Sequence, residues 1–296
     1  MKKRTSVPRL GFFLMGEKGL AVLRNHIRVF GKETVAYVVT ARDEGVLRDF
    51  CEEIRALCKK NGVTVLDRKQ TPAAKAAYAL AVSWRWIIPR RNLVVFHDSL
   101  LPAYRGFSPL VNMLIDGEKK IGVSALLASD DYDAGPVIAQ KAVPVSYPLK
   151  IAKAIKMITP LYCSLAEKVA GNILSGKPVS GKSQDESRAT YSLWRDEEDY
   201  RIDWSRSAEE IKRFIDAVGF PYKGALARTN RGTFRILEAR PVADVRIVNR
   251  DAGKVIFVRN GKPVVVCGRG LLCITRMITQ EGGNALPLKQ FRTRFY

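Results

Sequence analysis

Residues 93–109 read LVVFHDSLLPAYRGFSP. Four apolar, β-favouring residues, 93–96, run without a break into His97, and there the strand pattern stops. Pro102 and Gly106 break any helix beyond it, so the stretch after His97 is a rigid, irregular loop. A strand that delivers a histidine to the start of a loop is what a site at the carboxyl edge of a parallel sheet requires, because loops gather and ligands bind there.

The flanking pattern predicts such a sheet. Upstream, strand-like runs at 10–15, 34–40 (TVAYVVT), 63–66 and 78–83 alternate with helical periodicity at 20–30, 44–60 and 72–77. Residues 16–19 read as a turn, and Asn61-Gly62 stops the second helix. Strands separated by helices predict an α/β fold with a doubly wound, mostly parallel, Rossmann-like sheet. Downstream come a strand at 121–128, an acidic turn at 129–136 (SDDYDAGP), a return strand at 137–145 and a long helix at 151–174. Residues 176–188 are polar and rich in Gly, Ser and Lys, the composition of a linker. A helix at 208–218 and β-rich runs at 224–228, 233–239, 253–258, 263–267 and 271–275 then predict a small barrel or meander. The expected organisation is a catalytic domain over 1–180 and a smaller C-terminal β-rich domain over 188–296.

Composition narrows the partners. The 296 residues carry 50 Lys+Arg against 29 Asp+Glu, a net charge of +21. That excess calls for an anionic partner or a basic surface; nucleic acid, phosphorylated metabolites, folate glutamates and membrane surfaces all qualify. The basic runs at 2–4, 85–91 and 119–120 are short. Five cysteines without CxxC spacing fit free thiols in a reducing, cytoplasmic compartment. Two histidines exclude a His-rich metal site, and no metal is expected. The apolar run 10–15 is too short for a signal peptide, and no run of 18 uncharged apolar residues predicts a membrane span.

At a sheet edge His97 can accept a proton near neutral pH, provided that a carboxylate orients it. The acidic turn offers Asp130, Asp131 and Asp133, although Asp-Ala-Gly also suits a plain turn. Ser99 lacks the G-x-S-x-G setting of a nucleophile, so it either caps the loop or touches a ligand. Trp84 and Trp86 suit packing as well as a ligand pocket. His26, inside a helical pattern, reads as structural. Residues 16–19 lack the G-x-G-x-x-G fingerprint of dinucleotide binding.

FHDSLLPAYRGFSP, followed 36 residues after His97 by Asp133 in YDAGPVIAQ, resembles the folate-dependent formyltransferases. LAVSWRWII (80–88) resembles that family's pterin-pocket strand and loop, and WRDEEDYRIDW (194–204) and FPYKGA (220–225) its second-domain motifs. The likeness therefore runs along essentially the whole chain. FFLMGEKGL (12–20), SWRWII and Pro221-Tyr222 are of the sugar-enzyme kind. The resemblance implies an N-formyltransferase that moves a formyl group from 10-formyltetrahydrofolate to a nucleotide-linked amino sugar. Its setting would be cytoplasmic, in lipopolysaccharide O-antigen biosynthesis, and its state a homodimer, with neither membrane nor nucleic acid as partner.

Residue by residue, the resemblance implies that His97 takes the amine proton and that Asp133 orients it. Ser83, Trp84, Arg85, Trp86, Ile87, Ser99 and Asp130 would meet the folate. Lys18, Tyr104, Arg105, Gly106, Arg195, Tyr200 and Tyr222 would meet the sugar nucleotide, with Trp204 assisting. One position departs: where the family carries an asparagine two residues before the histidine, this chain has Val95. Losing one oxyanion donor typically costs about 10²–10³ in rate. Asn92 stands three residues before Val95 and on a strand would face the opposite way. The expectation is a slow or inactive enzyme, or one that holds its oxyanion by a backbone N–H or by His97. Two further readings stay open: a methionyl-tRNA formyltransferase, for which the +21 charge argues, and a non-catalytic binding member, for which Val95 argues.

Overall fold

The computed structural model describes residues 8–296, so the basic run at 2–4 lies outside the described residues. The chain parts into two compact units. The first takes in the described residues up to Pro109, with Lys120–Pro144 and Ile155–Leu193; the second holds Leu110–Lys119, Val145–Ala154 and Trp194–Tyr296.

In chain order the elements are β1 (Leu10–Leu14), α1 (Gly16–Phe30), β2 (Val35–Thr40), α2 (Cys51–Asn61), β3 (Val65–Asp67), β4 (Tyr78–Val82) and β5 (Leu93–His97). There follow β6 (Arg105–Gly106), α3 (Pro109–Asp116), β7 (Lys120–Leu127), β8 (Val137–Pro144), α4 (Ile151–Leu174) and β9 (Tyr191–Ser192). Seven strands form one sheet in the order β3-β2-β1-β4-β5-β7-β8. Pairing is parallel from β3 to β5 and antiparallel on to β7 and β8. LGFFL and VAYVVT are buried at every position, as strands covered on both faces must be. The strand order reverses between β1 and β4, the switch point where open α/β sheets bind ligands.

The two faces are covered differently. Phe12 and Phe96 face helices: the Phe12 ring lies 4.8 Å from that of His26 on α1, and the Phe96 ring 6.0 Å from that of Tyr162 on α4. One residue out of phase, Phe13, Tyr37, Ala81 and Leu93 form a cluster covered by Ala76, Trp84 and Ile88. Among the described residues that cover comes from irregular chain around Ala76, Trp84 and Ile88, and residues 72–77 are irregular rather than helical as expected. Their backbone groups are engaged elsewhere: Ala77 N–H donates to the Arg9 carbonyl at 2.9 Å, and the Ala76 carbonyl accepts from Arg90 at 2.8 Å.

Other boundaries shift for local reasons. Residues 16–19 are the first turn of α1 rather than a free turn. A Cβ on Gly19 would lie 3.0 Å from that of Leu14, so glycine lets the helix start hard against β1. The second helix begins at Cys51, not 44, because Asp49 accepts the Cys51 N–H at 3.0 Å and the Asp43 N–H at 3.2 Å, holding the preceding chain in a turn. Helix α3, which the sequence reading lacks, opens on Pro109, whose missing N–H costs a first turn nothing.

In the second unit, α5 (Ala208–Ala217) starts at a capping box of Ser207 and Glu210. Five strands follow: β10 (Ala225–Thr229), β11 (Gly232–Val242), β12 (Val255–Arg259), β13 (Lys262–Val266) and β14 (Leu271–Thr279). They pair antiparallel in the order β10-β11-β14-β13-β12. Phe295 bridges to Thr229 beside β10 and Arg294 to Lys254 beside β12, so the last residues close the sheet towards a barrel. No helix of the described residues is long and apolar enough to cross a membrane.

Candidate active site

His97 is the last residue of β5 and is 7% exposed. Its Nδ1 lies 3.3 Å from Asp133 Oδ2. Its Nε2 lies 2.7 Å from the Tyr104 carbonyl oxygen, which can only accept, so Nε2–H donates. Oxygen atoms therefore flank both ring nitrogens. The same Asp133 oxygen accepts the Gly106 N–H at 2.9 Å. Asp133 itself takes a left-handed backbone, φ 52°, which turns its carboxylate towards the ring. The structure thus brings together His97, Asp133, Tyr104 and Gly106.

Two groups fix the SLLP loop, and the sequence reading singled out neither. Ser124, opposite His97 on β7, donates to the Ser99 carbonyl at 2.7 Å and accepts the Leu101 N–H at 3.1 Å. Gln140 on β8 donates to Ser124 Oγ at 2.7 Å and to the Leu101 carbonyl at 2.9 Å. Residues 182–192 hold the other side. Lys182 exchanges both backbone bonds with Val137, and Gln184 donates to the carbonyls of Asp133 at 2.6 Å and Gly135 at 2.8 Å. Glu186 forms a bidentate pair with Arg105, both bonds 2.7 Å, and β9 pairs with β6. The stretch expected to be a linker is a strap over the loop and the acidic turn. Two of its polar side chains, Gln184 and Glu186, bond to protein partners, which composition does not reveal.

The strap corrects the reading of Arg105 as a substrate contact. The guanidinium is 1% exposed, with Gln184 Oε1 at 3.0 Å and Tyr191 Oη at 3.3 Å beside the Glu186 pair. Its bonds to Glu186 hold it protonated above even the usual arginine range. Gly106 serves through its N–H to Asp133; at φ 95° a Cβ there would meet the Ser192 carbonyl at 2.7 Å. Tyr104 contributes its carbonyl to His97, and its N–H donates to Thr190 Oγ1 at 2.8 Å. Ser99 is fully buried and donates to the Ala103 carbonyl at 2.6 Å, which is the loop-capping role of the two open to it.

Val95 lies two residues before His97, on the same face of β5, and packs on the cluster around Phe13 and Ala81. Asn92 is in a turn, φ 55°, with its amide on the Ala77 carbonyl at 3.3 Å. Lys18 is ion-paired with Asp98 and lies 5.2 Å from the Tyr162 ring centroid. Tyr162 donates to the other Asp98 oxygen at 2.5 Å, and burial together with that carboxylate holds its phenol protonated. Lys18 so enters the structure with its charge already matched.

Beyond β4, at the switch point, the buried Ser83 Oγ and Trp84 Nε1 have no hydrogen-bond partner. The Trp84 ring stands edge-on to Phe13 at 5.3 Å and to Trp86 at 5.2 Å. Arg68 stacks over Trp86 at 4.4 Å, and Arg85 pairs with Asp43 at 2.7 Å. Ile87 and Asp130 are exposed. Buried donors without partners, beside aromatic rings, suit a flat heteroaromatic ligand with a hydrogen-bonding edge.

In the second unit Arg195 donates to Asn112 Oδ1 at 2.5 Å and to the Asp199 carbonyl at 3.2 Å, while its buried Nε has no partner. Trp204, read as assisting a ligand, is buried with its ring 5.3 Å from that of Phe295. Tyr200 and Tyr222 are half-buried.

Two family descriptions match the chain: Formyl transferase over residues 68–154 and Formyl transferase, C-terminal domain, over residues 195–295. The methionyl-tRNA formyltransferase of Dechloromonas aromatica is 29% identical over 204 residues, 69% of this chain and 63% of that one. The chain thus spans a little under two thirds of that relative's length. Among solved structures, WlaRD, a sugar 3N-formyl transferase studied with dTDP and 5-N-formyl-THF, superposes with a TM-score of 0.65 at 13% identity, covering 96% of this chain and 99% of that one. The N-formyltransferase of Helicobacter canadensis, in complex with folinic acid and dTDP-3-aminofucose, gives 0.61 at 15% identity, covering 90% and 98%. At these identities the likeness is one of fold.

Proposed function

Since the chain belongs to the formyltransferase family, matched in both its N-terminal and C-terminal parts, we propose that it moves a formyl group from 10-formyltetrahydrofolate to the amine of a nucleotide-linked amino sugar. The observation that carries the proposal is the His97–Asp133 pair at the carboxyl end of β5, at 3.3 Å. The folate supplies an activated formyl carbon. Ser83, Trp84, Arg85, Trp86 and Ile87 would hold it, with the partnerless Ser83 hydroxyl and Trp84 indole as its polar contacts. Asp130, exposed in the acidic turn, is a further candidate contact.

His97 acts as general base at Nε2 and Asp133 supports the charge it gains. Nε2–H donates to the Tyr104 carbonyl, so the ring takes a proton from an amine there only once Nε2 has released its own, the remaining ring proton sits on Nδ1 facing Asp133, and the carbonyl has yielded. Val95 offers no hydrogen bond to the formyl oxygen, which predicts slow turnover. Lys18, Tyr104, Arg195, Tyr200 and Tyr222 are the remaining candidates for the sugar nucleotide. A cytoplasmic homodimer is carried over from the family resemblance and is checked by sedimentation.

The sugar reading is supported by fold likeness along nearly the whole chain to two sugar enzymes. A second reading, formylation of methionyl-tRNA, is favoured by the names of the curated relatives and by the net charge of +21. The experiment is a mass-spectrometric screen of dTDP-amino sugars and charged initiator tRNA, each with 10-formyltetrahydrofolate. A gain of one formyl group on a sugar nucleotide supports the proposal. Formylation of the tRNA alone, with binding that weakens steeply in salt, replaces it with the second reading. Binding of folate and sugar nucleotide without turnover replaces it with a non-catalytic role.

A further inference from the structure

We infer that Gln184 is a positioning residue: its amide locks the turn that presents Asp133 to His97 and ties that turn to the buried Arg105. The inference rests on the reading of His97 and Asp133 as the working pair. The Gln184 NH₂ group donates to the carbonyls of Asp133 at 2.6 Å and Gly135 at 2.8 Å, closing residues 133–135 around one side chain. Its carbonyl accepts from Arg105 Nε at 3.2 Å and Nη2 at 3.0 Å. Both donors and the acceptor of the amide are thus in use. Arg105 directly precedes Gly106, whose N–H holds the Asp133 carboxylate at 2.9 Å. The connections close a ring, running from Asp133 backbone to Gln184, to Arg105, to Gly106 and back to the Asp133 side chain. Asp133 is thereby fixed at its main chain and at its carboxylate, which a residue at φ 52° needs to keep its aim. Polar partners of this kind, which orient a first group through a second, commonly decide whether a site is aligned or loose by an ångström.

The test uses the full chain, labelled with ¹⁵N, whose two histidines, His26 and His97, give two ring spin systems. Ring ¹H–¹⁵N spectra are recorded for the native protein, Gln184→Ala, Gln184→Glu and, as reference, Asp133→Asn, with His97→Asn for assignment. Gln184→Glu keeps an acceptor for Arg105 but loses both donors to the turn, so the strap stays anchored while the turn is released. In both Gln184 variants the His97 signals are expected to move to the positions seen in Asp133→Asn and the protected ring N–H protons to disappear, with His26 unchanged as the fold control. In the turnover assay, kcat is expected to fall about 10²-fold with KM for the amine unchanged, as for a group displaced by an ångström. Native His97 signals in a folded Gln184→Glu overturn the inference, whatever the turnover. Displaced His97 signals in a protein that formylates no acceptor uphold the positioning role and reject the formyl-transfer reading.

Discussion

The Tyr104 carbonyl oxygen lies 2.7 Å from His97 Nε2, the ring nitrogen that does not face Asp133. The ring is therefore held from both sides, and Nε2 offers a proton acceptor only when the ring keeps its one proton on Nδ1 and residue 104 moves. Removing either member of the pair should cost the chemical step. His97→Gln and Asp133→Asn are each expected to slow single-turnover formyl transfer by about 10²–10⁴-fold. The double variant should lose little more than the worse single one, because the two act as a unit. Losses that multiply would show separate roles.

Val95→Asn places a donor two residues before His97. Formyl transfer is expected to rise about 10²-fold if the native site lacks only that hydrogen bond. Val95 packs against the Phe13 cluster, so an amide there should lower stability by about 1–3 kcal/mol. Initial rates and urea unfolding together decide the matter; an unchanged rate in a folded variant means that Val95 does not limit turnover.

Gly106→Ala puts a Cβ 2.7 Å from the Ser192 carbonyl at a backbone φ of 95°. The expected loss is about 1–3 kcal/mol, read from the denaturation midpoint. The strain falls on the N–H that holds Asp133, so transfer should weaken even where the variant remains folded.

His26 gives the protein an acid limit. Burial in α1, against Thr34 Oγ1 at 2.9 Å, lowers its pKa from 6.5 to about 4. The unfolded chain then binds the proton that the folded chain refuses, so stability falls as pH drops from about 6.5 to about 4. The full loss is about 3 kcal/mol. His26→Gln should flatten the unfolding free energy across that window; an undiminished slope would assign the acid limit to other groups.

The sheet was legible because central strands such as β1 and β2 are buried on both faces and read as unbroken apolar runs, and because His97 and Asp133 sit at punctuation the chain cannot hide. The residues around them were harder to judge. Arg105 looked like a ligand contact, and Ser99 could be either a ligand contact or a loop cap, because a polar residue near His97 looks the same whether it faces solvent or protein. Gln184 and Glu186 looked like linker for the same reason: their partners, Asp133 and Arg105, lie 51 and 81 residues away. Ser124 and Gln140 act on a loop from another strand, a relation that periodicity does not encode. The helix expected at 72–77 failed because its backbone bonds go to Arg9 and Arg90.

The irregular roof over the Phe13 face bears on how such a protein can diverge. A helix on that side would tie every insertion to its own periodicity, one wrong residue rotating all the rest. A loop carries no phase to lose, and doubling its length costs only about 0.6 kcal/mol of closure entropy. Lineages could lengthen, shorten or recompose the chain around Ala76, Trp84 and Ile88, changing what is admitted over the switch point. The strand that carries His97 would keep its register throughout, so acceptor choice could drift while the reaction stayed the same.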